Sequence, residues 1–561
     1  MNKKPPFINH INDEWVKNTL KSMSLDQKIG QLFQVACFSN RDESHTTEVL
    51  ELIKNYHLGG LTFFQGDAVS QASLTNQYQA VSKVPLFINI DAEWGLGMRL
   101  TGCTTFPYQM ALGAIQDDDL IFQMGKQIAK DCKRLGVCSP LAPVVDVNNN
   151  PKNPVINYRS FGENKELVAQ KGIAYMKGLQ SEQVLDNAKH FPGHGDTSVD
   201  SHLSLPVLLH SDERLKSLEL YPFEKLMEEG LSSVMTAHLS IPTWEKEEGV
   251  PVTLSEKVLS SILFDELGFE GLVITDALDM QGITNTFHNG EADLKAILAG
   301  NHIITNSQNV ENGFHKIKDA IHEGRWIEAQ LDQVVTKLLA MKKWVGLDHY
   351  QPIAIHQLEQ DLHSEASYQL NQKLVKATIT QIGLSPFTAL EKNSEIAFLQ
   401  IKNKTKTVSE RDKVVHHLKR INETEEEFLR EKCSEYGDFY QWNSDEDENN
   451  LYDILCRLNT YRRVIVSIHG INIKPFNHFD IHEAVRENLV SGLGDTEITL
   501  LYFGNAYALD ELDEVEKVDH IFVAYQDGLY QQKAVFEALL GETTMGKLPV
   551  STQFYRQGEG Y

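Results

Sequence analysis

Through the first 345 residues or so, short apolar runs rich in β-branched and aromatic residues alternate with amphipathic stretches. The runs are IGQLFQVACF, LGGLTFFQG, VPLFINIDAEW, GVCSPLAPVVDV, VLDNAKHF, LSSVMTAHLS, GLVITDAL and NHIITN. Most are separated by segments with helical spacing, such as DDLIFQMGKQIAKDCKRLG and SEKVLSSILFDELG. Strands covered by helices read as near-continuous apolar runs, so this alternation predicts an α/β chain with a parallel sheet. Eight strand candidates favour a (β/α)8 TIM-like barrel over 1–345, with an open doubly wound sheet as runner-up. No GxGxxG follows the first run to support the open sheet.

A polar connector, GLDHYQPIAIHQLEQDLHSEASYQ, then breaks the pattern and reads as a linker with a helix over 346–372. A second, smaller α/β unit is expected over 373–561, with strand candidates EIAFLQI, RVIVSIHG, ITLLYFGN and HIFVAYQ. The acidic stretch from NETEEEF to SDEDENN, at 422–450, reads as a solvated helix and an exposed loop. Catalytic residue types do not concentrate in this half, which marks it as an accessory domain.

The chain has 561 residues, more than one core usually organises, in keeping with two domains. Lys and Arg total 52 against 78 Asp and Glu, a formal charge of −26 that repels phosphate backbones and anionic membranes. Nucleic acid is therefore not an expected partner, and no apolar run is long enough to insert in a membrane. Six dispersed cysteines without CxxC pairs point to unpaired thiols in a reducing compartment, with neither a disulfide framework nor a zinc site. No apolar segment follows the basic start MNKKPPFINHINDEW, so a cytoplasmic location is expected. A periplasmic or exported location is the alternative if a leader was removed.

In a barrel of this kind reactive groups gather where strands end. The third run ends in Asp91 and Glu93, the fourth in Asp146, the fifth in Lys189 and His190, the sixth in His238 and the seventh in Asp276. The loop FPGHGDTSVDSHLSLP adds His194, Asp196, Asp200 and His202. So many ionisable groups on one rim are unfavourable unless they act there. Asp276 closes an apolar strand and could be a nucleophile, a metal ligand or the cap of the next helix. Asp200 and His202, two apart in an extended segment, point to one side. The carboxylate would favour imidazolium and make His202 a proton donor near neutral pH. Gly193 and Gly195 are expected to act as hinges that let this loop swing. Lys189 and His190 can face one ligand only if their strand ends or bulges there. With Arg99 and Arg159 they suggest recognition of a hydroxyl-rich or carbonyl-bearing ligand.

KHFPGHGDTSVDSH, GLVITDALDM, IDAEWGLGMRL and PVINYRSFGE occur in an order and spacing that resemble the bacterial glycoside hydrolase family 3 β-N-acetylglucosaminidases. The resemblance covers about 20–345, and the second half resembles the αβα sandwich of the family's two-domain members. It implies Asp276 as nucleophile and His202 as general acid/base with Asp200 as its partner. It further implies that Asp91, Arg99, Arg159, Lys189 and His190 hold a terminal N-acetylglucosamine. The expected activity is retaining exo-β-N-acetylglucosaminidase action, without cofactor or metal, on peptidoglycan-derived or chitooligosaccharide fragments. The alternatives are a phosphorylase or a β-glucosidase or xylosidase of the same fold, and a non-catalytic muropeptide-binding protein. Two departures stand out: EWGLGMRL in place of a more glycine-rich EGG loop, and His302 where relatives usually carry Asp.

Overall fold

The computed structural model describes residues 2–200, 204–392, 395–404 and 428–561. The chain forms two compact units. The first comprises Met1–Thr105, Ile121–Asn150 and Val168–Ser367; the second comprises Phe106–Leu120, Pro151–Leu167 and Tyr368–Tyr561. Two segments of the N-terminal half thus pack with the C-terminal half.

Besides a short two-stranded ribbon of Gly66–Asp67 and Leu100–Thr101, the strands of the first unit are β1 (Phe33–Cys37), β2 (Gly60–Phe63), β3 (Phe87–Ile90), β4 (Ala188–Phe191), β5 (Ser233–Thr236), β6 (Leu272–Thr275) and β7 (Ile304–Thr305). These seven form two parallel sheets, ordered β3-β2-β1-β7 and β4-β5-β6. Single parallel bridges, Asn89–Ser139, Val144–Lys189 and Ile274–Ile303, extend both sheets at their edges. Apart from Ala36 every residue of these seven strands is buried, as helix-covered strands require. Helices begin where short polar side chains satisfy the first amides: Asp13 accepts the Trp15 N–H at 2.8 Å, and Ser24 and Gln27 form a reciprocal box.

The fourth expected strand, GVCSPLAPVVDV, makes only the bridges at Ser139 and Val144. Pro140 and Pro143 offer no N–H to a ladder, and Leu141 takes a φ of +46°, so the run cannot keep regular pairing. The connector is tied to this unit: Arg134 bonds Asp361 at 2.7 Å and the carbonyls of Ala354 and His356 at 2.8 and 3.1 Å.

The second unit is built on one six-stranded sheet: β8 (Thr380–Ile382), β9 (Ile396–Lys402), β10 (Asp438–Asn443), β11 (Arg463–His469), β12 (Glu497–Tyr502) and β13 (His520–Val523). Its order is β8-β13-β12-β11-β9-β10, parallel except for β8. The four expected strands are present. The acidic stretch departs from expectation, because DFYQWN within it forms β10, an edge strand paired with β9 that is mostly half-buried, with Trp442 fully buried. Residues 422–427 of that stretch lie outside the described residues. All six cysteines are unpaired, and five are buried. Among the described residues no helix is long and apolar enough to cross a membrane.

Candidate active site

The loop leaving β3 carries Asp91 and Glu93, which meet Lys189 from β4. The Lys189 ammonium lies 3.0 Å from Asp91 and 2.9 Å from Glu93. Arg99 closes on Asp91 at 2.5 Å and stacks over the Phe64 ring at 5.2 Å. Two carboxylates and two cations therefore neutralise one another. Glu93 has no exposed side-chain surface, whereas Asp91 and Arg99 are about one fifth exposed, so they form the open edge of the cluster. Burial would raise the Asp91 pKa, but Lys189 and Arg99 outweigh it and hold the carboxyl well below the usual carboxylate range.

A regular strand would point Lys189 and His190 to opposite faces. Here the register shifts: Lys189 pairs with Met235 and Phe191 with Thr236, so His190 is bulged out of the ladder. Lys189 then reaches Asp91 while His190 Nδ1 lies 2.8 Å from Asp146. Asp146 is fully buried and also accepts the backbone N–H groups of His190 and His194 at 3.1 and 2.7 Å. Burial pushes its pKa up, but His190 and His194 outweigh that, so it stays ionised and His190 Nδ1 carries the proton. His194 is buried too. Desolvation and the neighbouring His190 lower its pKa to about 4, against the upward pull of Asp146 and Asp276, so it is neutral at pH 7.

Asp276 follows β6 directly and is half-buried. Its N–H bonds the Thr236 carbonyl at 3.1 Å, and its Oδ1 accepts the Ala277 N–H at 2.8 Å. The next helix starts only at Gln281, with Met280 in the cap position, so Asp276 is not a helix cap. His238, two residues beyond β5, donates from Nε2 to the Ala277 carbonyl at 2.9 Å, and its Nδ1 lies 2.8 Å from Thr253 Oγ1. Ala277, the residue after Asp276, is thereby held at both its N–H and its carbonyl. Among the described residues no group of three or more His, Cys, Asp or Glu side chains could hold a metal ion.

The structure thus brings together Asp91, Arg99, Lys189 and Glu93 in one cluster and His190, His194 and Asp146 in another. Asp200 is half-buried, and its carbonyl accepts the Ser204 N–H at 3.2 Å; His202 lies outside the described residues. Arg159 stands in the second unit, on the turn Asn157–Arg159, where its guanidinium bonds the Val155 carbonyl at 3.2 Å. Glycines 193 and 195 have a packing reason besides the expected hinge role: a Cβ on Gly195 would fall 1.8 Å from the Val147 carbonyl oxygen. His302 is a buried residue whose Nδ1 accepts the Val273 N–H at 2.9 Å; burial holds its pKa well below normal. Pattern reading did not reveal Thr253, fifteen residues from His238, or Thr197, whose Oγ1 lies 2.8 Å from His194 Nδ1, because a hydroxyl beside a histidine leaves no periodicity in the sequence.

A neutralised acid–cation cluster and a half-buried aspartate at the ends of parallel strands fit the glycoside hydrolases, and the comparisons place the protein among them. Residues 24–341 match the family described as Glycosyl hydrolase family 3 N terminal domain. The chain is 32% identical over 426 residues to the β-hexosaminidase A of Pseudoalteromonas piscicida, covering 69% of this chain and 71% of that protein. A solved family 3 β-N-acetylglucosaminidase from Paenibacillus sp. str. FPU-7 superposes with a TM-score of 0.79 at 28% identity, over 94% of this chain and 99% of its own. A β-glucoside phosphorylase shares the fold, with a TM-score of 0.79 at 23% identity over 98% of each chain. The chain belongs to glycoside hydrolase family 3.

Proposed function

We propose that the protein is a retaining exo-β-N-acetylglucosaminidase that releases terminal N-acetylglucosamine from peptidoglycan-derived or chitooligosaccharide fragments. The observation that carries this reading is Asp276 at the end of β6: half-buried, not a helix cap, and paired with the Ala277 amide. An N–H donor stabilises the carboxylate form. The names of the Pseudoalteromonas and Paenibacillus relatives support the choice of sugar.

On this reading the first unit is a (β/α)8 barrel, with the segment through Ser139 and Val144 as its fourth strand. The three single bridges support closure. The second unit is an αβα sandwich. Asp91, Arg99, Lys189, His190 and Arg159 hold the sugar hydroxyls and amide. The ionised Asp91 accepts hydroxyl protons, and Arg99 donates beside it. Asp276 attacks the anomeric carbon while protonated His202, supported by Asp200, gives its proton to the leaving oxygen; the glycosidic bond breaks and a glycosyl-aspartate forms. Neutral His202 then takes a proton from water, whose oxygen displaces Asp276 with net retention.

The test is release of N-acetylglucosamine from a chromogenic β-glycoside. Asp276→Ala is expected to lower kcat at least about 10^3-fold, and ordinary turnover in that variant would overturn the assignment. Phosphorolysis would show as sugar 1-phosphate when phosphate is supplied. A glucosidase would turn over the β-glucoside faster. Sugar binding without turnover would mark a non-catalytic binder.

A further inference from the structure

In the second unit β12 ends at Tyr502 and the chain continues through Phe503 and Gly504 to Asn505, which is buried. Through Oδ1 the Asn505 side chain accepts the Tyr507 N–H at 3.0 Å, capping the turn Ala506–Glu511. That contact decides which end of the amide faces which way. Its Nδ2 donates to the Ile473 carbonyl at 2.8 Å and to Oδ1 of Asn157 at 2.6 Å, so both amide hydrogens are used. Asn157 is oriented by the same logic. Its Nδ2 donates to the Pro151 carbonyl at 2.8 Å, which leaves Oδ1 as the atom that receives Asn505.

Asn157 takes a φ of +41°, a left-handed conformation that asparagine tolerates better than most residues but that still needs support from its surroundings. Arg159 follows two residues later. Its N–H bonds the Ile156 carbonyl at 2.7 Å and its guanidinium bonds the Val155 carbonyl, so the place of the cation follows from the path of this turn. The Tyr158 ring meets the Tyr108 ring edge-on at 5.0 Å, and the Tyr108 N–H donates to Gln526 at 2.7 Å. The tyrosine packing supports the middle of the turn, and the amide–amide bond from Asn505 reaches its left-handed first residue.

We propose that Asn505 is a positioning residue for substrate binding. Through Asn157 it holds the 157–159 turn in one conformation and so presents Arg159, setting affinity for the sugar without touching it. This rests on the reading of Arg159 as a sugar-holding residue. A buried donor and acceptor matched at 2.6 Å leave two desolvated polar groups exposed to mismatch if either is lost, which makes the turn sensitive to this one side chain.

Two variants of the full chain test it. Asn505→Ser keeps an oxygen for the Tyr507 N–H, and serine is a good cap, but it is too short to reach Asn157. Asn505→Asp keeps the size and the cap but has no hydrogen to donate. Both are expected to raise KM for the chromogenic β-N-acetylglucosaminide about tenfold with kcat within about twofold. Both should also speed amide exchange across 155–160 while leaving β11 unchanged. In an Arg159→Ala background, Asn505→Ser should raise KM no further, because the two act through one contact. Unchanged KM in both variants, or a fully additive effect with Arg159→Ala, overturns the proposal. If Arg159→Ala alone leaves KM unaltered, the sugar-holding reading of Arg159 fails. Exchange across 155–160 is read separately from that result, and unchanged exchange in both variants overturns the positioning role itself.

Discussion

Lys189 lies 2.9 Å from Glu93, and this ion pair is almost wholly out of solvent, with 2% of the lysine side chain and none of the glutamate side chain exposed. Removing one partner of a buried pair strands the other charge, at a cost of about 3–5 kcal/mol. Lys189→Met should therefore destabilise the fold by that order in urea unfolding. Glu93→Gln added to it should recover part of the loss, because the stranded charge is then gone. A cost below about 1 kcal/mol for Lys189→Met would show that Glu93 finds another partner or takes up a proton.

Asp91 is the part of the same cluster that faces outward. Asp91→Asn keeps its shape but weakens what it can accept from substrate hydroxyls, and kcat/KM should fall about 10^2-fold, the value of one or two hydrogen bonds to a charged group. The substitution also reports on stability. Because Lys189 and Arg99 hold the folded-state pKa of Asp91 below its unfolded value of about 3.9, its contribution is present above that pH and is lost as pH falls further. The stability gap between wild type and Asp91→Asn should accordingly be largest near neutral pH and shrink below about pH 4.

His194 gives the second pH dependence. Its pKa drops from an unfolded value of about 6.5 to about 4. The unfolded chain binds the extra proton between these values, so stability is fully present above about pH 6.5 and declines as pH falls toward 4, by up to about 3 kcal/mol. His194→Gln cannot charge and should flatten the denaturation midpoint over pH 4–6.5. A slope unchanged from wild type would mean that His194 is not the group responsible.

His238 holds the Ala277 carbonyl at 2.9 Å, one residue beyond Asp276. His238→Phe keeps a ring but removes this donor, which loosens Ala277, the residue whose N–H meets the proposed nucleophile. On that reading kcat should fall about 10-fold or more with little change in KM, since sugar contacts lie elsewhere. An equal rise in KM would place His238 in binding instead.

Residue spacing alone carried the reading of an α/β chain in two parts, because the period of apolar positions depends only on neighbours along the chain. Asp91, Lys189 and Asp276 were legible as strand-end residues for the same reason: each interrupts an apolar run. The tertiary structure decided what those residues meet. Glu93 is the buried partner of Lys189, and His190 turns to Asp146 only because β4 bulges. The fourth apolar run keeps single bridges because two prolines remove its donors, while DFYQWN, half polar and half aromatic within an acidic stretch, becomes an edge strand because β9 offers it a ladder. Asp276, a sound cap by sequence, is no cap because the helix begins at Gln281. Segment 151–167, with Arg159, packs with residues from Tyr368 onward. The physical difference is one of range. Periodicity and turn chemistry are written in adjacent residues, whereas pairing, burial and charge environment depend on groups tens to hundreds of positions apart that meet only when the core forms.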